Sequence, residues 1–81
     1  MDVNKAVREA MEELMEKDLD QIQVETAIKW CGRSIAAKMM DRDEKEITEY
    51  AHEAVEHAAL SGNDDVLFLV RDSLRQLGIS L

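Results

Sequence analysis

Apolar residues recur every three or four positions along most of the chain, the period of an amphipathic helix rather than the alternation of a strand. In the first segment Val3, Val7, Ala10 and Leu14 repeat at four, three and four residues, and Ala6 widens the stripe. Glu9, Glu12, Glu13 and Glu16 hold the opposite face, and Met11 and Met15 form a second row at the stripe's edge. Asp2 stands where an N-cap belongs, and the pattern predicts a helix over residues 3–17. Lys17-Asp18-Leu19-Asp20 interrupts the pattern without Gly or Pro. Asp18 or Asp20 suits the cap of a second helix, and a continuous helix through this point stays open.

The second segment, Gln21–Met40, is the one around which the chain is organised. Val24, Ala27, Ile28, Cys31, Ile35 and Met39 fall within an arc of about 120° on a helical wheel, a stripe fit for a core. Lys29 and Arg33 fall opposite and are expected in solvent. Trp30 belongs to neither group and lies beside Thr26, Ser34 and Ala37. Either this helix touches two neighbours and Trp30 packs on the second, or Trp30 anchors a partner, as Trp often does at interface hot spots.

Asp41 or Asp43 is placed to cap a third helix reaching Leu60, with Glu44 and Glu46 on its positive end. Its predicted core face, Ile47, Ala51, Ala54, Val55 and Ala58, consists mainly of small residues that permit close helix approach. Gly32 and Ala36, spaced by four, are candidates to face it. Ser61-Gly62-Asn63-Asp64-Asp65 reads as a turn, with Gly62 after a helix and Asn63 or Asp64 before the next. The fourth helix, about residues 64–77, is predicted to bury Val66, Val70, Leu74 and Leu77, and Gly78 ends it. Phe68 points away from that stripe, near Arg71 and Arg75.

The expectation is therefore an all-α fold: about four helices in a compact antiparallel bundle or paired helical hairpins, as one domain over 1–81. Composition agrees, since there is no Pro, only three Gly, and many Ala, Leu, Glu and Lys. A chain of 81 residues has a thin stability margin, and one Cys allows no internal disulfide, so dimerisation is the remaining common way to bury more surface.

Charge narrows the partners. The net charge is −8, with −4 over residues 1–20, +1 over 21–45 and −5 over 46–81. Phosphate binding needs a basic field, so neither nucleic acid nor an anionic membrane is expected. The longest apolar run, Val66–Val70, is far short of a membrane span. Met1–Lys5 leads into a charged amphipathic pattern rather than a signal peptide, so the expectation is a cytoplasmic protein with Cys31 reduced.

Chemical constellations are incomplete. Glu49, His52, Glu53 and His57 contain one Glu-x-x-His, a spacing used in di-iron bundles, which need it twice. The zinc-protease pattern fails because Glu56 stands where a second His would be. Asp41 and Asp43 start like a calcium loop, but Glu46 replaces its glycine and His52 its final Glu. Asp72-Ser73-Leu74 matches the carrier motif of acyl carrier proteins in three letters only, and Ser73 lies near the end of the chain instead of its middle. Trp30-Cys31-Gly32-Arg33-Ser34 loosely resembles the turn of a helix-turn-helix, but Arg33 sits where that turn wants an apolar residue. Cys31 lies on the core stripe with no His beside it in sequence, and no glycine-rich phosphate loop is present.

These readings point to a non-catalytic protein-interaction module, an adaptor or small regulator, self-associating as a homodimer. Trp30, Phe68, Met11 and Met15 are the apolar side chains left off the expected core, and are the candidate contact residues. No cofactor and no small-molecule substrate is expected. Two alternatives come from other classes: a metal-binding bundle using Glu49, His52, Glu53 and His57, or an acidic inhibitor of a basic protein.

Overall fold

The computed structural model describes residues 2–81, with the side chains of all but Leu14, Glu16, Lys17 and Asp18. Among the described residues there are three helices and no strand: α1 (Val3–Met39), α2 (Glu44–Leu60) and α3 (Asp64–Gln76). The class is the expected one, all-α with hairpin packing.

The first two expected helices are one. Asp2 caps α1 as expected, its carboxylate accepting from the backbone N–H of Asn4 at 3.1 Å and Lys5 at 3.3 Å. The helix then runs unbroken through Lys17–Asp20. Nothing there stops it, because Asp costs a helix only a few tenths of a kcal/mol and Lys and Leu are good formers. The side chain of Asp18, one of the two expected caps, lies outside the described residues, as does that of Leu14 in the expected stripe.

From Val3 to Met39 every fourth residue is apolar except Gln23: Val3, Val7, Met11, Met15, Leu19, Ala27, Cys31, Ile35 and Met39. Four residues advance about 40° beyond a full turn, so this row winds slowly around the helix. The apolar side of the first half therefore points elsewhere than that of the second.

Helix α2 packs antiparallel on the second half of α1. The order of contacts shows it: Ser34 meets Ile47, Trp30 meets Tyr50 and Gln23 meets His57. Helix α3 turns back along α2 and lies also against α1, where Leu69, Val70 and Ser73 adjoin Ile28, Cys31, Gly32 and Ile35. So α1 has two neighbours, and its buried arc is wider and rotated relative to the expected stripe. Ala27, Cys31, Ser34 and Ala37 are buried, while Ile28 and Met39, both expected in the core, are exposed.

The core consists mainly of small side chains. Ala27, Ala51, Ala54, Ala58 and Ser34 are fully inaccessible, and Leu74 is the only large side chain so deeply buried among the described residues. Ile47, Ala51, Ala54 and Ala58 form the α2 face as predicted, with Val55 half-buried. Gly32 and Ala36 do not oppose them; both are exposed, and Ala27, Ser34 and Ala37 take that place. The Ser34 hydroxyl donates to the Ile47 carbonyl at 2.8 Å, tying α1 to the first turn of α2.

Three helix ends set the corners. After α1, the N–H groups of Asp41 and Arg42 donate to the carbonyls of Lys38 and Ala37, with Asp41 at φ +57°. This is a Schellman ending with Asp in the left-handed position that usually takes Gly. Asp43, the other candidate, is the cap of α2. After α2, Gly62 takes the left-handed position, and the buried Ser61 hydroxyl donates to the Ala58 carbonyl and accepts from Asn63 N–H. Asn63 caps α3.

At the end of α3, Gly78 and Ile79 repeat the Schellman bonds onto Arg75 and Leu74. Ile79 is buried beside Lys38, Glu44, Ile47 and Thr48, although the periodicity leaves it as a trailing residue. Leu77, predicted in the core, is exposed.

The result is elongated. The radius of gyration is 16.7 Å and the extents are 61 × 18 × 14 Å, against about 12 Å for the radius of gyration of a compact domain this size. The excess comes from α1: every described side chain from Asp2 to Ile22 is exposed, and the first half-buried one is Gln23. Residues 2–22 thus form an arm of about 30 Å, and residues 23–81 form the body.

Candidate interaction surface

The arm carries Val3, Val7, Met11, Met15, Leu19 and Ile22, each more than half exposed. No other helix among the described residues packs against this half of α1. Unlike scattered surface leucines, these lie in one spiral band on the half of α1 that α2 and α3 leave uncovered. An amphipathic helix of this length is marginal alone in water, because most helical stability in proteins comes from packing the apolar face. Val3 and Val7, β-branched, add little propensity of their own.

Met11 and Met15 are therefore on an open surface, as expected of contact residues. Phe68 is 71% exposed on the outer side of α3, next in sequence to the exposed Leu69. Trp30 is different. It is half-buried at the core margin, with its ring 5.6 Å from that of Tyr50 and tilted by 32°. Arg33 lies over its ring at 4.8 Å, a cation–π geometry. Trp30 thus packs within the chain on its second neighbour. The four residues lie in three places, arm, core margin and outer α3, and do not form one patch.

The sequence pattern assigned Val3 and Val7 to a core and Leu19 to a break. The every-fourth spacing, which runs on unbroken from Val3 to Leu19, links them to Met11 and Met15 in one row, and the lack of a packed neighbour along residues 2–22 is what leaves that row on the surface. Beside the arm's base, Ile28, Cys31, Gly32 and Ile35 of α1 and Leu69 and Ser73 of α3 line a shallow apolar groove.

The junction of arm and body is polar. His57 Nδ1 lies 2.6 Å from Gln23 Oε1, a hydrogen bond across the two helices in the tautomer that carries its proton on Nδ1. His57 Nε2 lies 3.5 Å from Glu53. Both ring nitrogens of His57 thus have a polar side chain beside them, and Glu49 and His52 are exposed. Among the described residues no three His, Cys, Asp or Glu side chains come together as a metal-ligand set. The Glu49, His52, Glu53 and His57 face is thus a row of helical neighbours, with one member turned to bond the other helix.

Beyond the aromatic pair, Tyr50 donates to Glu46 at 3.0 Å, and Glu46 pairs with Arg42 at 3.5 Å. The hydrogen bond to Glu46 and the charge of that carboxylate push the Tyr50 hydroxyl above its usual pKa. Burial raises the Cys31 thiol likewise, which keeps it protonated and a poor nucleophile.

No helix among the described residues is long and apolar enough to cross a membrane. No protein-family model, curated protein or solved structure matches this chain.

Proposed function

We propose that this chain is a small acidic, non-catalytic protein-interaction module of the cytoplasm, an adaptor or regulator, and that it self-associates. The observation that supports this reading is the arm: six apolar side chains on a helix that the body leaves uncovered. A band of this kind exceeds the scattered apolar exposure normal for a soluble surface, and such bands mark contact sites. Phe68 and Leu69 expose further apolar surface at a separate place, on α3. Trp30 contributes from behind, by holding α2 against the helix that carries the arm.

A photo-crosslinking residue replacing Met15, with one replacing Glu9 as the control, tests this in cells making the full chain. Adducts specific to position 15, with self or with another protein, are the expected outcome. Absence of adducts at both positions overturns the reading. Adducts mainly from position 9 would favour the competing class, an acidic inhibitor of a basic protein. That class draws its support from the charge of −5 concentrated in residues 9–20.

A further inference from the structure

We infer that the cleft between α2 and α3 is a binding site for an oxyanion, a carboxylate or phosphate group, held by Arg71 and Arg75 of α3 and His52 of α2. This surface is separate from the arm, and the inference does not depend on the arm. Three observations lead to it.

The first is place. Arg71 and Arg75 are four residues apart, so they stand on one side of α3. With His52, Val55 and Glu56 of α2, and with Leu81 beyond the end of α3, they line an open cleft of about 390 Å³. That volume suits a small ligand or a group presented by a larger one.

The second is what the arginines lack. The chain has 18 acidic residues, yet among the described residues neither arginine forms an ion pair, and His52 forms none either. No acidic residue stands three or four positions from Arg71; Leu67, Phe68, Leu74 and Arg75 fill those places. Asp72, three positions before Arg75, takes a hydrogen bond from the Gln76 side chain at 2.8 Å instead. Glu56 lines the cleft without pairing with either arginine. Like charges four apart on a helix repel. An anion set between them turns that repulsion into two attractions.

The third is the donor set. A guanidinium presents its N–H groups in a planar fork that matches the oxygens of a carboxylate or phosphate. A neutral imidazole keeps one N–H donor in either tautomer. Among the described residues, the side-chain hydrogen bonds within the chain involve none of Arg71, Arg75 and His52. The donors come from two helices, which sets the anion in the cleft between them rather than on α3 alone.

The test titrates the isotope-labelled full chain with inorganic phosphate and, separately, with succinate. NMR follows the Nε–H signals of the two arginines and the backbone amide of Val55, with sodium chloride at matched ionic strength as the control. The expected result is saturable shifts, with a dissociation constant on the order of 1–10 mM for the better anion. Tighter phosphate identifies a phosphate ligand, and tighter succinate identifies carboxylates. Arg71→Gln/Arg75→Gln keeps good helix formers in place and is expected to weaken binding about tenfold or more. His52→Ala, on the other helix, is expected to weaken it about threefold. Lys29→Gln, which removes an exposed cation from α1, should bind as the parent does. Shifts for both anions no larger than those with sodium chloride overturn the site. A double arginine variant that binds unchanged overturns the assignment, and so does an equal loss in Lys29→Gln, which would mean general charge attraction. An unchanged His52→Ala overturns the grip from two helices. Crosslinks from position 15 read the arm alone, so either result can fail without the other.

Discussion

Residues 3–22 and 23–39 belong to one uninterrupted helix and have similar apolar content, yet the described side chains of one half are all exposed and the other half is covered on two sides. Apolar residues alone do not make the difference. In the second half the covered positions are the small ones, Ala27, Ser34 and Ala37, while Ile28 and Met39 stand in solvent. The covering helix α2 brings a matching row of alanines. A helix recruits a neighbour inside its own chain where small residues let two backbones approach. Where the band is built from Val, Met, Leu and Ile, with no second helix in the chain to meet it, the surface is left for another molecule.

The sharpest way to break this comparison is to truncate one large residue on each side. Leu74→Ala should cost about 2–5 kcal/mol, lowering the melting temperature by 10 °C or more at about 4–8 °C per kcal/mol. Met15→Ala should change unfolding of the body in dilute solution by less than about 0.5 kcal/mol, and calorimetry on the two variants distinguishes them. Equal effects would mean that the arm is folded onto the body.

Enlarging a contact is the next step down. Ala54→Leu forces apart helices that meet through alanines, at a cost of about 1–3 kcal/mol; the same enlargement at Ala10 on the exposed arm should cost nothing measurable by chemical denaturation. Ser34→Ala removes the bond to the Ile47 carbonyl and should cost about 1 kcal/mol. Denaturant midpoints of Ser34→Ala and Thr26→Ala compare a hydroxyl bonded across helices with one bonded to Ile22 within its own helix.

Gly32→Ala should act in the other direction. A methyl there meets nothing within 4 Å, so helix propensity decides and the variant should gain about 0.5–1 kcal/mol. The smallest effect is that of pH. Burial raises the Cys31 thiol, so the folded state keeps a proton that the unfolded chain releases. Stability should then fall slightly as pH rises through and above the ordinary thiol range. Cys31→Ala should flatten that decline in alkaline melts.

Much of this fold can be read from the residues. The caps Asp2, Asp43 and Asn63, the turn glycine Gly62, and the faces Ile47–Ala51–Ala54–Ala58 and Val70–Leu74 all follow from spacing and side-chain chemistry. Three things do not follow. Asp18 and Asp20 are as compatible with a helix interior as with a cap, so only the surrounding structure decides that α1 continues. The rotation of its buried arc depends on α2 approaching through alanine and serine, which weigh little in any hydrophobic pattern. Ile79 docks because Gly78 reverses the chain over Leu74; the apolar residue right after that glycine is the available clue. For the candidate surface, Met11, Met15 and Phe68 are recognisable as surplus, whereas Val3, Val7 and Leu19 become so only once the arm is seen to lack a neighbour.

The unbroken run of α1 also fixes phase. Arm and body are like two cams cut on one shaft: adding a residue between Leu19 and Gln23 would turn the arm's apolar band by about 100° against the body, and adding four would turn it by about 40°. Neither change would disturb a single contact among α1, α2 and α3. The direction in which the band faces is therefore a quantity that insertions and deletions can set independently of stability, and partner geometry can be retuned without refolding anything.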